Sequence, residues 1–500
     1  MSHFPRWPGA CLAMALSLWL AGCATPQASS SATPQGTSSP AQTATAETPQ
    51  TSAPDELTQT GSLKAKANLG LLPPTDIWER IRRGFAMPDL DGPLVRDREQ
   101  WYAARPDYIL RMTERSRRYL FHIVEELERR DMPTELALLP FIESAFNPEA
   151  VSSAKAAGMW QFMPATGKYF DLKQNLFRDD RRDVLESTRA ALDYLQKLYG
   201  MFGDWHLALA AYNWGEGSVG KALARNKALG KPLGYSDLNM PNETRYYVPK
   251  LQAIKNIVAL PESYKVQLPM IRNHPYFKSV QIERDIDVAL AARLAEISLD
   301  DFKALNPSMN RPVILASGTP QILLPWDNAT VFERNLQDHT GQRLATWTAW
   351  VAPRTMKPED AAHEVGMPVE QLRAANSIPP RMMVKAGSTL LVHRKGTLDT
   401  DVTEHMADNA QLALAPEIVL KRIMVTARKG DTLASLAARH GVTAANMASW
   451  NKMHIVASLK SGQTLAVYVP SQVARQLPKA VASASSSRTH KSAANRKKKR

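Results

Sequence analysis

The segment from Pro140 to Gly167, PFIESAFNPEAVSSAKAAGMWQFMPATG, places one carboxylate among apolar side chains. Glu143 has Phe141, Ile142 and Phe146 as near neighbours, and a loop rich in alanine and glycine follows. Apolar surroundings disfavour an ionised carboxyl group and raise its pKa. A carboxylic acid that stays protonated near neutral pH can donate a proton to a glycosidic oxygen. The alternative is a glutamate at a helix end that points to solvent.

Pro140 places this carboxylate near the end of a helix. Proline lacks a backbone N–H and disrupts a helix interior, so the helix predicted for TELALLPFIES should end around Glu143. Two further segments with polar and aromatic side chains follow, ALAAYNWGEGSV at 208–219 and NETRYYV at 242–248. The region 78–258 reads as helices separated by short loops, so we expect helices to position all three segments.

In this order and at these spacings, the three segments closely resemble the soluble-type lytic murein transglycosylases of the lysozyme superfamily. The resemblance covers residues 100–260. It implies a mainly α-helical, lysozyme-like catalytic domain that acts on the glycan strands of peptidoglycan. We expect this domain to extend over residues 74–270.

The resemblance also implies roles for individual residues. Glu143 matches the single catalytic acid/base of the family, and Tyr247 matches the tyrosine that orients it. Gly-Met-Trp-Gln at 158–161 matches a Gly-Leu-Met-Gln motif whose glutamine hydrogen-bonds the glycan, and the tryptophan departs from that pattern. The substrate-binding residues implied in this way are Ser152, Met159, Trp160, Gln161, Tyr212, Asn213 and Tyr247.

Several of these residues have a plain structural alternative. Tyr247 lies on an apolar stripe of its predicted helix, which indicates core packing. Asn213 precedes a glycine-rich turn and could cap a helix. Ser152 could be a solvated loop residue, and the Trp160 ring could belong to the core instead of stacking on a sugar.

The number of carboxylates bears on the mechanism. Ordinary glycosidases use two, whereas the motifs here supply only Glu143 firmly. The resemblance implies that Glu143 protonates the β-1,4 bond between N-acetylmuramic acid and N-acetylglucosamine and then deprotonates the C6 hydroxyl, which closes a 1,6-anhydro ring. The alternatives are a lysozyme-like muramidase, which is a hydrolase, and a non-catalytic peptidoglycan-binding lipoprotein.

No cofactor is expected for this chemistry. The histidines form no cluster with metal-ligand spacing, and no His-Glu-x-x-His motif is present. The sequence therefore predicts no metal site.

The N-terminus resembles a lipoprotein signal. Residues 1–22 contain an apolar run from Cys11 to Leu20 that is too short to span a bilayer, and Leu-Ala-Gly-Cys ends at Cys23. This tetrapeptide resembles the lipobox of bacterial lipoproteins, which implies a cleaved signal peptide and a lipidated Cys23 that holds the chain on a membrane. Ala24 follows, and by resemblance to known lipoprotein sorting this implies an outer-membrane lipoprotein facing the periplasm. The alternative is a plain signal peptide with an incidental cysteine.

Two segments lack the apolar residues that a core needs. Residues 23–73 consist mainly of Ser, Thr, Ala, Pro and Gln, which predicts a disordered tether. Residues 471–500 carry nine Lys or Arg and no acidic residue, and most of the formal charge of +14 therefore belongs to a predicted disordered tail. A basic tail could bind nucleic acid, but export excludes that partner and leaves solvation or an anionic wall polymer or membrane phosphate.

Three segments after the helical region align without a gap: 291–306, 361–376 and 436–451. Each ends in asparagine and is followed by an apolar run, which indicates repeated modules. The third, at 423–470, resembles the lysin motif (LysM), a strand–helix–helix–strand module that binds N-acetylglucosamine polymers. The segments at 271–330 and 345–395 are degenerate LysM-like modules whose role could be structural. The fold class predicted is multidomain α+β, with βααβ modules after the helical domain.

Overall fold

The computed structural model describes residues 73–470, except for 340, 342, 418 and 419. The predicted signal peptide, Cys23, nearly all of the predicted tether and the predicted basic tail lie outside the described residues. In the described part, a helical domain comes first and three small modules of strands and helices follow it. This is the multidomain α+β arrangement that the sequence predicts.

The helical domain is built from helices joined by short turns. A 3-10 helix, Thr134–Leu138, leads directly into α5. The α-helices are α1 (Ile77–Arg83), α2 (Pro93–Ala103), α3 (Pro106–Ser116), α4 (Leu120–Glu128), α5 (Leu139–Glu143), α6 (Pro164–Tyr169), α7 (Val184–Phe202), α8 (Trp205–Trp214), α9 (Glu216–Ala228), α10 (Asn242–Arg245) and α11 (Tyr247–Ala259).

The longest of these helices, α7, has clear signals at both ends. Asp183 caps its N-terminus, because the carboxylate accepts hydrogen bonds from the backbone N–H groups of Leu185 and Glu186, each at 3.0 Å. It ends at Gly203, whose φ of 65° is a left-handed conformation that favours glycine. Its apolar face packs against α8 in the main core.

Helix α11 crosses the centre of the domain. It packs against α2, α5 and α8, and the apolar stripe predicted from the sequence is buried along it at Leu251, Ile254 and Val258. Tyr247 is the first residue of this helix. The packing of α11 on α5 therefore brings the start of one helix against the end of the other.

Each of the three modules contains the same strand–helix–helix–strand unit. In each unit the first and last strands pair in antiparallel fashion. The first consists of β1 (Phe277–Gln281), α12 (Val288–Leu294), α13 (Leu299–Leu305) and β4 (Gln321–Pro325); the second of β5 (Trp347–Val351), α15 (Pro358–Val365), α16 (Val369–Asn376) and β7 (Thr389–His393); the third of β9 (Leu420–Thr426), α18 (Leu433–Arg439), α19 (Ala444–Trp450) and β10 (Thr464–Pro470).

Further elements extend the first two modules. Helix α14 runs past the boundary predicted at 330, and its Phe332 lies in the core of the first module. The additional elements are β2 (Ile286–Asp287), β3 (Val313–Ile314), α14 (Trp326–Asp338), β6 (Met382–Val384), α17 (Glu404–Asn409) and β8 (Leu414–Pro416), in which β2 pairs with β3 and β6 with β8.

The asparagine that ends each aligned segment makes the same three hydrogen bonds in all three modules. Asn306 donates to the carbonyls of Phe302 and Leu323 and accepts from the N–H of Leu323, at 2.8 to 2.9 Å. Asn376 and Asn451 repeat this pattern at the equivalent positions. The side-chain amide thus ties the end of the second helix to the last strand.

Residues 173–183, which join α6 to α7 and are called the strap below, connect the helical domain to the first two modules. Leu176 and Phe177 are buried in an apolar cluster with residues of both modules, among them Val313 and Leu391. Backbone hydrogen bonds reinforce the contact. The N–H of Leu176 donates to the carbonyl of Ala410 at 2.9 Å, and the strap also exchanges backbone hydrogen bonds with the first module, one donated from each side. The helical domain and the first two modules therefore share one packed interface.

A buried ion pair joins the first module to the second. The Nη2 atom of Arg394 donates to Oδ2 of Asp285 at 2.7 Å, and both side chains are at most 3% exposed. The same carboxylate accepts from the backbone N–H groups of Ala316 and Val402, at 3.0 Å each. The core of the third module, by contrast, is formed by residues between 423 and 469.

No helix between residues 73 and 470, as far as the structure describes them, has the length and apolarity needed to cross a membrane. In the same part of the chain, no group of three or more His, Cys, Asp or Glu side chains is placed to hold a metal ion.

Candidate active site

Glu143 is the last residue of α5, where the sequence predicts a helix end. Pro140 occupies the first turn of this short helix, where a missing N–H costs nothing. After Glu143 the chain turns sharply, because Ala145 and Phe146 both have left-handed φ angles, 52° and 55°. Such angles are uncommon for residues other than glycine and are costly, so the surrounding contacts must hold this turn.

The turn after Glu143 is fixed by a small set of hydrogen bonds. The N–H groups of Ser144 and Phe146 both donate to the carbonyl of Pro140 at 3.1 Å. The Ser144 hydroxyl donates to the carbonyl of Met159 at 3.0 Å and accepts from the N–H of Asn147 at 3.2 Å. Ser144 therefore links the turn to the loop that carries the Gly-Met-Trp-Gln motif.

Tyr247 donates its phenolic O–H to Oε1 of Glu143. The structure thus brings together the two residues to which the family resemblance gives the acid/base and orienting roles. Tyr247 is 3% exposed, and burial raises its pKa well above the usual value of a tyrosine, so it stays a neutral donor. One carboxyl oxygen of Glu143 is therefore held by the protein.

The carboxyl group of Glu143 is destabilised in its ionised form by its surroundings. Burial raises its pKa to about 7, and the charge of Glu243 adds to this effect. The hydrogen bond from Tyr247 and the charge of Lys250 act in the opposite direction but are weaker. Near neutral pH a substantial fraction of Glu143 is protonated, which is the state that a proton donor requires.

Tyr212 lies in the same electrostatic environment. Its hydroxyl donates to the carbonyl of Trp160 at 2.9 Å, and its pKa is raised well above the usual value by burial and by the nearby Glu143 carboxylate. A neutral tyrosine that anchors the motif loop to α8 can position that loop without adding charge.

The loop at 150–162 folds back on itself and presents Gln161. The N–H of Ala157 and the N–H of Phe162 each bond to the other residue's carbonyl at 3.0 Å. Gln161 has a left-handed φ of 50°, and its side-chain amide donates to the carbonyl of Gly158 at 2.8 Å. Ser152 is half-buried, and its hydroxyl accepts the N–H of Ala156 at 3.0 Å.

The side chains of Met159 and Trp160 do not line a cleft, which corrects the expectation that they contact substrate. Both are 0% exposed, and both belong to the main core. The Nε1 atom of Trp160 donates to the Thr188 hydroxyl on α7 at 3.1 Å. The structural alternative for Trp160 is therefore the one found, and its carbonyl serves the site through Tyr212.

Asn213 is half-buried near the end of α8 and does not cap that helix. Its Oδ1 accepts the Thr244 hydroxyl at 2.8 Å, which ties α8 to α10. Gly215 terminates α8, with its N–H bonded to the carbonyl of Ala211 at 2.7 Å. Asn213 thus holds in place the segment that leads into Tyr247.

Arg181 of the strap is a site-supporting residue that the sequence analysis missed. Its Nη1 atom donates to the carbonyls of Lys155 and Phe162, at 2.7 and 3.2 Å, and Asp179 holds the same guanidinium through two hydrogen bonds. The motif loop packs directly on this backbone: a Cβ at Gly158 would lie 1.9 Å from the Arg181 carbonyl. The close approach explains the glycine in the motif.

An Escherichia coli protein is similar in sequence to most of the chain. Membrane-bound lytic murein transglycosylase D of Escherichia coli, represented by two strains, is 33% identical over 412 residues, which are 80% of this chain and 87% of that protein. The chain belongs to the lytic murein transglycosylase family. It is a peptidoglycan-cleaving transglycosylase, and the helices that position Glu143 form its catalytic domain.

Three family models match separate parts of this transglycosylase. The transglycosylase SLT domain matches residues 122–233, the LysM-like domain of lytic transglycosylase MltD matches 276–340, and the LysM domain matches 425–467. Among solved structures, an inactive mutant of the lytic transglycosylase Slt from Pseudomonas aeruginosa is 23% identical, with a TM-score of 0.23, over 29% of this chain and 24% of that one.

Proposed function

We propose that Glu143 is the single acid/base with which this lytic transglycosylase cleaves the bond between N-acetylmuramic acid and N-acetylglucosamine. The observation that supports this role is the Glu143–Tyr247 pair, in which burial raises the pKa of the carboxyl group to about 7. A carboxyl with that pKa can serve as an acid in one step and as a base in the next at neutral pH.

In the first step, protonated Glu143 donates its proton to the glycosidic oxygen. The bond from that oxygen to C1 of N-acetylmuramic acid breaks, and N-acetylglucosamine leaves with a free C4 hydroxyl. The carbonyl oxygen of the substrate's own N-acetyl group stabilises the positive charge that develops at C1. No second protein carboxylate is needed for this step.

In the second step, ionised Glu143 removes the proton from the C6 hydroxyl of the same N-acetylmuramic acid. The C6 oxygen bonds to C1, which closes the 1,6-anhydro ring and returns Glu143 to its protonated state. Atoms balance without water, because the proton that left Glu143 is replaced by the one taken from C6. Tyr247 holds Oε1 throughout, which leaves the second carboxyl oxygen for the proton transfers.

Ser152, Gln161, Tyr212 and Asn213 complete the proposed site. Gln161 and Ser152 stand on the loop at 150–162 and supply hydrogen-bonding groups for the sugar and its N-acetyl group. Tyr212 and Asn213 act through the elements they connect, since their polar atoms bond to Trp160 and Thr244.

Glu143→Gln tests the assignment. The amide keeps the shape of the side chain but cannot donate and retrieve a proton, so the purified variant should release no product from isolated sacculi. Mass spectrometry of the wild-type digest should show 1,6-anhydro ends. Products heavier by one water would identify a muramidase, and equal clearance of sacculi by variant and wild type would identify a non-catalytic wall-binding protein.

The membrane attachment of the enzyme is proposed at Cys23. Leu-Ala-Gly-Cys at 20–23 resembles a lipobox, and the E. coli relative is named membrane-bound. A lipidated cysteine followed by Ala24 would place the enzyme on the outer membrane, facing the periplasm. Cys23→Ser should move the protein from the membrane fraction to the soluble periplasmic fraction.

The third module is proposed to hold the enzyme on its substrate. It matches the LysM domain model over residues 425–467 and keeps Gly-Asp-Thr-Leu at 430–433. A chain shortened after 417 should bind sacculi less tightly in a pull-down, whereas its activity on short soluble glycans should remain.

A further inference from the structure

A groove lies where the catalytic domain meets the first module. It has a volume of about 370 Å³ and is bounded by the junction of α3 and α4, by the segment that follows the turn after Glu143, and by α13. Its base is apolar, formed in part by Tyr119 and Phe146, which are buried and stack on each other with centroids 6.4 Å apart.

Specific contacts fix the two walls of the groove relative to each other. The Tyr119 hydroxyl donates to the carbonyl of Ala304 on α13 at 2.7 Å. Arg118 Nη2 donates to Oδ1 of Asp301 at 2.7 Å. These two hydrogen bonds join the catalytic domain to the first module, so the shape of the groove between them is fixed.

Charged side chains of both signs line the groove. Arg115, Arg118 and Lys303 supply positive charge, and Glu149 and Asp300 supply negative charge. Within the described residues, Arg115 and Lys303 have no salt bridge or side-chain hydrogen bond. Arg118 uses Nη2 for Asp301, while its buried Nε has no acceptor there. Cations left without partners at an interface can bind carboxylates.

The groove begins close to the reacting centre. Asn147, in its wall, is four residues after Glu143, so their Cα atoms are at most about 15 Å apart. An extended peptide of five residues spans about 17 Å. A peptide attached to the N-acetylmuramic acid bound beside Glu143 can therefore reach the groove.

We propose that this groove binds the peptide carried by the N-acetylmuramic acid residues of the glycan, a short peptide with free carboxylates and an amino group. Arg115 and Lys303 bind its carboxylates, and Glu149 and Asp300 face its amino group. The two acidic residues disfavour a purely anionic polymer, so the mixed charge points to a zwitterionic peptide. The inference rests on the function proposed above, because it requires Glu143 to act on peptidoglycan.

The test compares two substrates: glycan strands that keep their peptides and the same strands after an amidase has removed them. The variant enzyme carries Arg115→Ala and Lys303→Ala together. Both side chains are exposed, and removing them leaves the interface hydrogen bonds of Arg118 and Tyr119 intact. We expect kcat/KM on peptide-bearing strands to fall about tenfold, which corresponds to the free energy of one charge-assisted hydrogen bond. On peptide-free strands kcat/KM should stay unchanged.

Arg111→Ala with Lys221→Ala is the matched control, since both are exposed cations outside the groove. It should leave both substrates unaffected. As a second measurement, the isolated peptide should bind the full-length Glu143→Gln enzyme in calorimetry, and the two groove substitutions should weaken that binding.

Two results would overturn the inference: an equal effect of the groove substitutions on both substrates, or no effect on either. Both presuppose a wild-type enzyme that releases anhydro products. If the wild-type enzyme released none from either substrate, the proposed function itself would fail, and the peptide site with it.

Discussion

In the proposed mechanism Glu143 must meet two demands that normally conflict, since it gives a proton and then takes one back. Burial supplies the first property by raising the pKa of the carboxyl to about 7, and the hydrogen bond from Tyr247 limits that rise by favouring the ionised form. The balance between burial, this hydrogen bond and the nearby charges of Lys250 and Glu243 thus sets the pH range in which Glu143 would do both.

The pH dependence of activity follows from this balance. Because the first step needs protonated Glu143, the active fraction of the free enzyme should fall as pH rises through about 7. A profile of kcat/KM against pH, measured on soluble glycan strands, should show this descending limb. A profile that stays flat from pH 5 to about 9 would contradict it.

Tyr247→Phe should shift the descending limb of the kcat/KM profile along the pH axis. The substitution removes a hydrogen bond that lowers the pKa of Glu143, so the pKa rises and the descending limb shifts to higher pH. A hydrogen bond to a charged group contributes about 1.5–3 kcal/mol, which corresponds to about 1–2 pH units. The maximal rate should also fall, because the carboxyl loses its fixed orientation.

Tyr235→Phe is the control for this shift. Tyr235 is also buried, but its hydroxyl donates to the carbonyl of Thr244 at 2.6 Å and not to Glu143. The descending limb of its kcat/KM profile should lie at the same pH as in the wild-type enzyme. A limb that moved equally in both variants would assign the effect to general loosening of the core.

The site residues show what motif analysis can and cannot supply. The apolar neighbours of Glu143 and the position of Pro140 predicted a helix end with a poorly solvated carboxyl, and both are found. Trp160 was wrongly placed against substrate, because a loop has no periodicity from which inside and outside can be read. Only the packing on α7 decides which way that ring faces.

At the scale of elements, the strap and the motif loop behave as one unit. Arg181 bonds to the carbonyls of Lys155 and Phe162, at the two ends of the part of the loop that holds Gln161. The strap is in turn fixed to the first module, since the N–H of Asp179 donates to the carbonyl of Ser308 at 2.8 Å. The modules thereby help to position a residue proposed to bind glycan.

Arg181→Ala should therefore lower activity. The Lys155 carbonyl would lose its side-chain donor, the Phe162 carbonyl would keep only the N–H of Ala157, and Asp179 would lose its cation. The loop would then hold Gln161 less firmly in its left-handed conformation. We expect kcat/KM to fall at least about tenfold, from the loss of hydrogen bonds worth about 1–3 kcal/mol. Arg181→Lys, which keeps one donor, should recover part of the loss.

Arg225→Ala controls for the loss of an arginine, since Arg225 is exposed on α9. Its kcat/KM should equal that of the wild type. The pH limb of the Arg181 variants should also stay in place, because Arg181 is not among the groups that shift Glu143. A displaced limb would show that the strap acts on the acid and not on the loop.

The repeats are the part of the fold that sequence alone predicts best. The spacing of three asparagines indicated modules of similar length. The structure explains the residue type, because a side-chain amide can donate to both the helix carbonyl and the strand carbonyl and still accept from the strand N–H, whereas a hydroxyl has one proton to donate. The strap was not predicted. Its sequence, KQNLFRDDRRD at 173–183, has no periodicity, and its partners in the modules lie more than 120 residues away.

For the whole molecule, the ion pair between Asp285 and Arg394 is a test of how firmly the first two modules are joined. Arg394→Met would leave a buried carboxylate with no cation, which costs about 3–5 kcal/mol. Burial already raises the pKa of Asp285, so the loss should grow as pH rises and the carboxylate ionises. Urea unfolding at two pH values measures both effects.

Arg343→Met is the control for this loss. Arg343 pairs with Asp399 at 2.6 Å, but the two side chains are 49% and 39% exposed, so its removal should cost under about 1 kcal/mol. Equal destabilisation by the two substitutions would mean that burial does not strengthen the internal pair.

Leu176 and Phe177 also determine where this protein can be divided. In a fragment cut after Ala259, both side chains would be exposed to water, at a cost of about 1.5–3 kcal/mol each. They would form an exposed apolar patch that promotes aggregation. The smallest piece worth purifying for crystallisation or assay therefore continues to the end of β8 at Pro416, even though its chemistry ends far earlier.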